Sequence, residues 1–490
     1  MTEPNLKGDG ASASNAAAPA STSDKPRLEG HMGVTEVVFT VLAFSGPLTV
    51  VFGYLPLVII FDGIGAPTAF LVATVLLMVF SVGYTRMALH LPNPGASYAY
   101  VTAGLGRVFG LGAACMSIFG YVVLELGVFC FIGNASQAFV TGTLGGPDFA
   151  WYWHTLFFWA IVSVTGYLNV EFTAKTVVVI SAIGLVIIAA FEALAVYSGG
   201  PEGLSPGSFS WSAFVSGSPG LGLLFAILVF IGFESTAIYR EEVKDARRTI
   251  PKATYLSVLI IGLVYMSATW CLVVSSGPSR AHAVAAANPS GMLSVALEAY
   301  AGRMAVVVAT GIMIVSSLAV LLSIHNVAAR YCYSVGYDGA LPRFLGRAHP
   351  RHHSPYIASM ADSLVTLVAI VIFAALSLDP NYLYARLGGT ATVAILAIYM
   401  LTSVAIVFFF RRNSADTNLW ERAIAPLLST VGLAVVLWLA MANFDTIIDS
   451  NWTTASLLLL LIWAVPAGGM VLATYYRSKR PETYQRIGRN

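Results

Sequence analysis

The stretch Phe230-Ile231-Gly232-Phe233-Glu234-Ser235 lies inside an apolar run. It is followed by Arg240-Glu241-Glu242-Val243-Lys244-Asp245-Ala246-Arg247-Arg248-Thr249-Ile250-Pro251-Lys252. Glycine is a poor helix former, and a carboxylate at membrane depth is costly unless it is paired, protonated or used. A glycine between aromatic residues, with an acid two positions on, therefore predicts a helix broken near the membrane midplane. Irregular backbone is tolerated there only where protein buries it or where it lines a cavity. The cationic, proline-containing loop just after the break marks the cytoplasmic side.

The rest of the chain agrees with a membrane setting. Of 490 residues, 57% are hydrophobic and 10% charged, too little charge to cover a soluble surface of this size. Mean hydropathy is +0.77. Residues 1–32, rich in Ala, Ser, Pro, Asn and Asp, have no apolar core of a signal peptide and read as a disordered cytoplasmic tail. Residues 33–476 read as one membrane domain and 477–490 as a second cytoplasmic tail. Cys115, Cys130, Cys271 and Cys332 all fall in apolar segments and read as small packing residues.

Windows of about 20 residues give about twelve spans. They run near Val34–Phe61, Ala66–Leu89, Val108–Val140, Trp153–Leu168, Lys175–Tyr197, Gly220–Tyr239, Ala253–Ser275, Arg303–Tyr333, Tyr356–Ser377, Tyr382–Arg411, Ala423–Phe444 and Ala455–Tyr475. With both termini inside, only Arg280, Arg303 and Arg386 of the 26 Lys and Arg fall outside, and the positive-inside rule selects that orientation. The first span is interrupted like the sixth. Ser45-Gly46-Pro47 sits near its midpoint, and proline suits the first position of a new helix. Matched interruptions in two oppositely directed spans, five apart, predict an all-α fold with a five-plus-five inverted repeat, broken helices 1 and 6, and two added helices.

Three blocks then resemble the amino acid–polyamine–organocation superfamily of permeases. The first is FIGFESTAIYREEVKDARRTIPKAT, from Phe230. The second is Leu91-Pro92-Asn93-Pro94-Gly95-Ala96-Ser97-Tyr98-Ala99-Tyr100 with Gly104-Leu105-Gly106-Arg107. The third is His325-Asn326-Val327-Ala328-Ala329-Arg330-Tyr331 with Asp338-Gly339-Ala340-Leu341-Pro342 and Ser354-Pro355. The resemblance extends from about Gly33 onward. It implies a secondary active transporter of amino acids in the plasma membrane, working by alternating access. The chain departs from the family at its first break, where Ser45-Gly46-Pro47-Leu48-Thr49 replaces a Gly-x-Gly type of run and Pro47 removes one amide.

Broken helices leave backbone groups for a ligand. The amides of Leu48 and Thr49, with the hydroxyls of Ser45 and Thr49, are expected to receive a carboxylate at the start of a helix. Carbonyls near Ala43, Phe44 and Phe230–Gly232 are expected to receive an ammonium. The candidate substrate-binding residues are Ser45, Gly46, Leu48, Thr49, Phe230, Ile231, Gly232 and Phe233, the two phenylalanines as an apolar wall or lid. Glu234 and Glu125 are the candidate proton-coupling acids. Glu192 reads as an interfacial acid, and His325 as a hydrogen-bonding helix residue rather than a relay. A sodium site involving Ser316-Ser317, an amine or polyamine substrate, amino acid exchange and a substrate-sensing receptor are the rival readings. No ring of like residues suggests a channel, and no nucleophile–base or metal constellation suggests an enzyme. No cofactor, metal or nucleic-acid partner is expected; the partners are a small-molecule substrate and the lipid bilayer, and the pattern is compatible with an oligomer.

Overall fold

The computed structural model describes residues 32–91, 96–168, 174–241, 243–350, 354–413 and 417–488. Residues 1–31 of the proposed tail 1–32, residues Pro92–Gly95 of the second family block, and Glu242 lie outside the described residues. Among those described the chain is helical, with no strand.

The first half comprises α1 (Val34–Ser45), α2 (Pro47–Gly53), α3 (Leu55–Asp62), α4 (Ala66–His90), α5 (Ala96–Leu105), α6 (Arg107–Ala138), α7 (Trp151–Leu168), α8 (Ala174–Ser198) and α9 (Trp211–Ser216). Next come α10 (Pro219–Leu228), a 3₁₀ segment over Phe233–Glu241, α11 (Ala246–Ser276), α12 (Ala281–Ala287), α13 (Met292–Ala301) and α14 (Arg303–Tyr337). The remainder is α15 (Tyr356–Ala375), α16 (Pro380–Arg412), α17 (Ala425–Ala442), α18 (Phe444–Ile448), α19 (Trp452–Lys479) and α20 (Pro481–Arg486).

Among the described residues, 11 helical stretches are long and apolar enough to cross a membrane. The 18-residue α7 is less apolar because Trp151, Tyr152, Trp153 and His154 open it; it occupies the position of the expected fourth span. The 219–237 segment is wholly inside the bundle, whereas α19 is mostly on its surface. Leu364, Val368 and Val371 of α15, Val431, Val435 and Trp438 of α17, and Leu457, Leu460 and Leu461 of α19 are exposed at helical spacing. An apolar belt of this kind is stable only in an apolar surrounding.

The long α6 is a central strut, packed along α16, α19, α14 and α7. α1 packs on α11, α8 and α14, so the first break is enclosed on several sides. At the basic end, the Lys244 amide donates to Met32 O at 3.2 Å, which joins the start of the described chain to the segment after the 3₁₀ turn. Arg86 pairs with Glu421 at the same end. Residues 477–488 of the expected C-terminal tail are mostly helical, and the segment docks on the bundle. Ile487 is buried, the Arg107 guanidinium lies over the Tyr484 ring, and the Gly488 amide donates to Tyr98 Oη (2.8 Å) and Asp338 Oδ2 (2.9 Å).

Candidate functional site

The local sequence dictates how the chain turns at residues 45–47. α1 ends at Ser45, and Gly46 takes φ 62°, ψ 73°, with its amide donating to Leu42 O (3.0 Å) and Ala43 O (3.1 Å). Pro47 then opens α2, where its missing amide hydrogen is no loss. A left-handed backbone favours glycine, and there is a second constraint: a Cβ on Gly46 would come closer than 3.0 Å to Cγ2 of Val320 on α14. The Val50 amide donates to Gly46 O, while those of Leu48 and Thr49, in the first turn of α2, precede any intrahelical acceptor.

At residues 229–232 regular helix also stops. α10 ends at Leu228, and the amides of Phe230 and Ile231 make short-range bonds to Ile227 O and Leu228 O. Gly232 adopts φ 109°, and a Cβ there would overlap the Phe44 ring. Phe44, at the end of α1, thus occupies the space a side chain at 232 would need. The two segments touch again where Ser45 Oγ donates to Val229 O at 3.0 Å and lies 2.6 Å from Tyr265 Oη.

A cavity of about 30 Å³, room for roughly one water, lies between them. Its wall is Phe44, Ser45, Thr49, Val50, Tyr54, Leu124, Val128, Leu228, Val229, Ile231, Val320 and Ile324. Of the residues singled out from sequence, Ser45, Thr49 and Ile231 line it. Gly46 and Gly232 shape the backbone behind it, and Leu48 is buried against Gly184 of α8. Phe230 is fully buried, and Phe233 packs among Phe80, Tyr84 and Tyr399 with ring centroids 5.7–6.3 Å away. The wall residues from α6 and α14 could not be seen in the sequence, because apolar residues of long helices carry no mark of which face meets a cavity.

The polar groups nearby are committed. Thr49 Oγ1 lies 2.8 Å from Ser317 Oγ, and Ser317 also donates to Met313 O at 2.9 Å. Ser317, one of the pair considered for a sodium site, thus links α14 to α2 through its hydroxyl. Glu234 is buried beside the cavity rather than on its wall. Its Oε1 accepts from Tyr121 Oη at 2.5 Å and its Oε2 from the Gly232 amide at 2.9 Å; its carbonyl accepts from Tyr84 Oη at 2.9 Å. The acid therefore ties the turn at Gly232 to α6 and α4.

Glu125 does not meet Glu234. One turn beyond Tyr121, it turns to His325 of α14, whose Nδ1 lies 3.0 Å from Glu125 Oε1 and 3.0 Å from Asp362 Oδ2 of α15. Glu192 accepts from Ser267 Oγ at 2.7 Å. No disulfide links the four cysteines, and Cys130 and Cys271 are buried.

Two helices that stop, at Ser45 and at Leu228, thus flank a small, mostly apolar cavity within a bundle of apolar helices. Comparison with known proteins gives the family. The chain is 24% identical over 451 residues to "Low-affinity putrescine importer PlaP" of Escherichia coli K12, covering 89% of this chain and 94% of that one. It is 21% identical over 439 residues to "Branched-chain amino acid permease BcaP" of Bacillus subtilis 168, covering 86% and 88%. The protein of that name from Lactococcus lactis subsp. cremoris is 24% identical over 411 residues, covering 77% and 82%. The family profile described as amino acid permease matches residues 37–466. The chain is a multi-pass membrane transporter and not an enzyme, and it belongs to the amino acid permease family.

Proposed function

We propose that this chain is a secondary active transporter of amino acids with apolar side chains. It works by alternating access in the plasma membrane, with both termini cytoplasmic and a proton as the coupling ion. The cavity wall carries the substrate class: nine apolar side chains and, as polar groups, only Ser45, Thr49 and Tyr54. Neither Glu125 nor Glu234 faces it. A diamine would bury its second ammonium without a counter-charge, which is expensive in low dielectric. An aliphatic side chain loses nothing against Val128, Ile231, Val320 and Ile324. The amino acid's carboxylate would take the first-turn amides of Leu48 and Thr49, and its ammonium the carbonyls around Ile231.

Positive φ at Gly46 and Gly232, in segments running in opposite directions, supports the five-plus-five inverted repeat. A cavity of 30 Å³ cannot hold an amino acid, so the two segments must separate for binding, as alternating access requires. The test is uptake by proteoliposomes. Leucine, isoleucine and valine should enter, driven by an inward pH gradient, and should compete with one another. Putrescine uptake that these amino acids leave untouched would favour the amine reading, which the name of the putrescine relative keeps in play. Uptake driven by sodium and indifferent to pH would favour the sodium reading, for which Thr49 and Ser317 stand close together.

A further inference from the structure

The Glu125–His325–Asp362 cluster lies outside the cavity and belongs to none of the contacts that hold its two breaks. Three helices supply it: α6 gives Glu125, α14 gives His325, and α15 gives Asp362. All three side chains are almost completely buried. A fourth helix closes it, since a Cβ on Gly166 of α7 would be 2.7 Å from the imidazole. His325 Nε2 lies 2.8 Å from Ser359 Oγ, one turn before Asp362.

Both acids approach the same ring nitrogen, Nδ1, at 3.0 Å. One N–H cannot serve two carboxylates well, and Glu125 Oε2 and both carboxylate oxygens of Asp362 have no hydrogen-bond donor. A buried acceptor left in that state costs free energy. With an imidazolium and two ionised carboxylates the cluster carries one net negative charge, and a single added proton cancels it. Two carboxyl groups at one site hold a proton between them because both cannot ionise cheaply.

We propose that this cluster is the proton-binding site that couples transport, the proton being held by the paired carboxyl groups of Glu125 and Asp362, which with His325 bring their polar atoms within 4.8 Å of one another. The assignment rests on the proton-coupled reading above and places its ion. The cluster is joined to the cavity wall through its own helices: Leu124 and Val128 of α6, next to and one turn from Glu125, and Ile324 of α14, next to His325, line the cavity. Loading or emptying the cluster changes the charge carried by those helices by one unit. Tyr121, one turn along α6, holds Glu234 at the Gly232 turn, so the helix bearing Glu125 also contacts the segment that must move. Asp362 lies six residues into α15, about 9 Å of helix from its start at Tyr356.

The titratable groups facing the cluster are few. α6 offers Tyr121, committed to Glu234; α14 offers Cys332, within electrostatic reach of Asp362. α7 presents Gly166, and its one histidine, His154, is near Ser136 instead. No arginine or lysine is paired with either acid among the described residues; the basic group beside both is His325.

The test uses the full chain in proteoliposomes with labelled leucine. Wild type should accumulate it up to about tenfold per unit of inward pH gradient, the limit for one proton. Asp362→Asn and Glu125→Gln should bring accumulation down to about onefold while keeping counterflow exchange of leucine, which shows that the variants fold and bind. His325→Gln should shift the pH profile of exchange. Accumulation by Asp362→Asn and Glu125→Gln at the wild-type ratio, in a wild type that is proton-driven, overturns the cluster alone. A wild type indifferent to pH overturns the proton reading and the cluster with it. If both variants lose exchange as well, a pH-sensitive dye decides on wild type: proton uptake accompanying leucine entry must be one-to-one, and must vanish in Asp362→Glu if the distance between the acids sets the site. One equivalent of divalent metal in the purified protein, lost in Asp362→Asn, overturns the proton assignment in favour of a metal ion.

Discussion

Replacing Gly46 by alanine perturbs the candidate site in two separable ways. The backbone at φ 62°, ψ 73° is left-handed, and holding a residue with a Cβ there costs roughly 1–2 kcal/mol. The new methyl would also stand closer than 3.0 Å to Val320 Cγ2, and one of the two must retreat by about 1 Å to regain van der Waals separation. Val320 lines the cavity, so its retreat is into the space meant for substrate. Overpacking of this kind costs about 1–3 kcal/mol. The sum, about 2–5 kcal/mol, corresponds at 1.4 kcal/mol per decade to a loss of roughly 30- to 4,000-fold in kcat/KM. Only the steric part depends on Val320. Val320→Ala in the same chain should therefore recover about 1–3 kcal/mol, leaving a residual loss of about 5- to 30-fold from the backbone. The assay is initial-rate leucine uptake for the wild type, both single variants and the double variant, normalised to purified protein in the membrane. Near-normal uptake by Gly46→Ala, or a double variant no better than Gly46→Ala, would refute the packing of residue 46 against Val320 at the site.

Three further outcomes follow from other contacts. Single cysteines placed between residues 243 and 252 should resist a membrane-impermeant thiol reagent added outside, while one at Glu202 should react; labelling of both would overturn the topology. Glu234→Gln keeps an acceptor for Tyr121 but loses a good acceptor at the Gly232 amide if the amide nitrogen faces it. It should slow leucine exchange by about tenfold, about 1.4 kcal/mol, with the pH dependence of accumulation kept; wild-type rates would remove Glu234 from the cycle. At the basic end, burial pushes the Asp338 carboxyl above the usual carboxylate range, against the opposing bonds from Tyr98 and Gly488. The bond that the C-terminal segment itself gives this carboxyl, from the Gly488 amide, favours the ionised form, so docking strengthens as pH rises through the range in which Asp338 loses its proton. Hydrogen exchange at residues 481–488, corrected for its intrinsic pH dependence, should slow over that window, and Asp338→Asn should flatten the response; corrected exchange that is independent of pH in the wild type would count against it.

Much of the architecture was legible from residue types because a bilayer imposes one-dimensional rules. Span length is set by hydrocarbon thickness, orientation by the positions of Lys and Arg, and helix interruption by residues such as Gly46, Pro47 and Gly232 that announce themselves locally. The observed elements follow the expected spans, the seventh starting seven residues earlier than expected at Ala246, and α1 and α10 stop at Ser45 and Leu228. Glycine and proline act through the backbone of their own few residues, so their consequence can be read without knowing the neighbours. The cavity wall was not legible, because Leu124, Val128, Val320 and Ile324 are ordinary apolar residues whose role depends on how α6 and α14 rotate about their axes. Phe44 filling the space beside Gly232 belongs to the same class. The acids divide the two cases most sharply. That Glu125 and Glu234 are candidates is legible from their chemistry at membrane depth. That Glu125 faces His325 and Asp362, 200 and 237 positions away in sequence, while Glu234 faces Tyr121 and the Gly232 amide, is decided by the packing of separate helices. A carboxyl group's partner, and hence its charge and its work, is a property of three-dimensional neighbours, which a single chain of letters does not order.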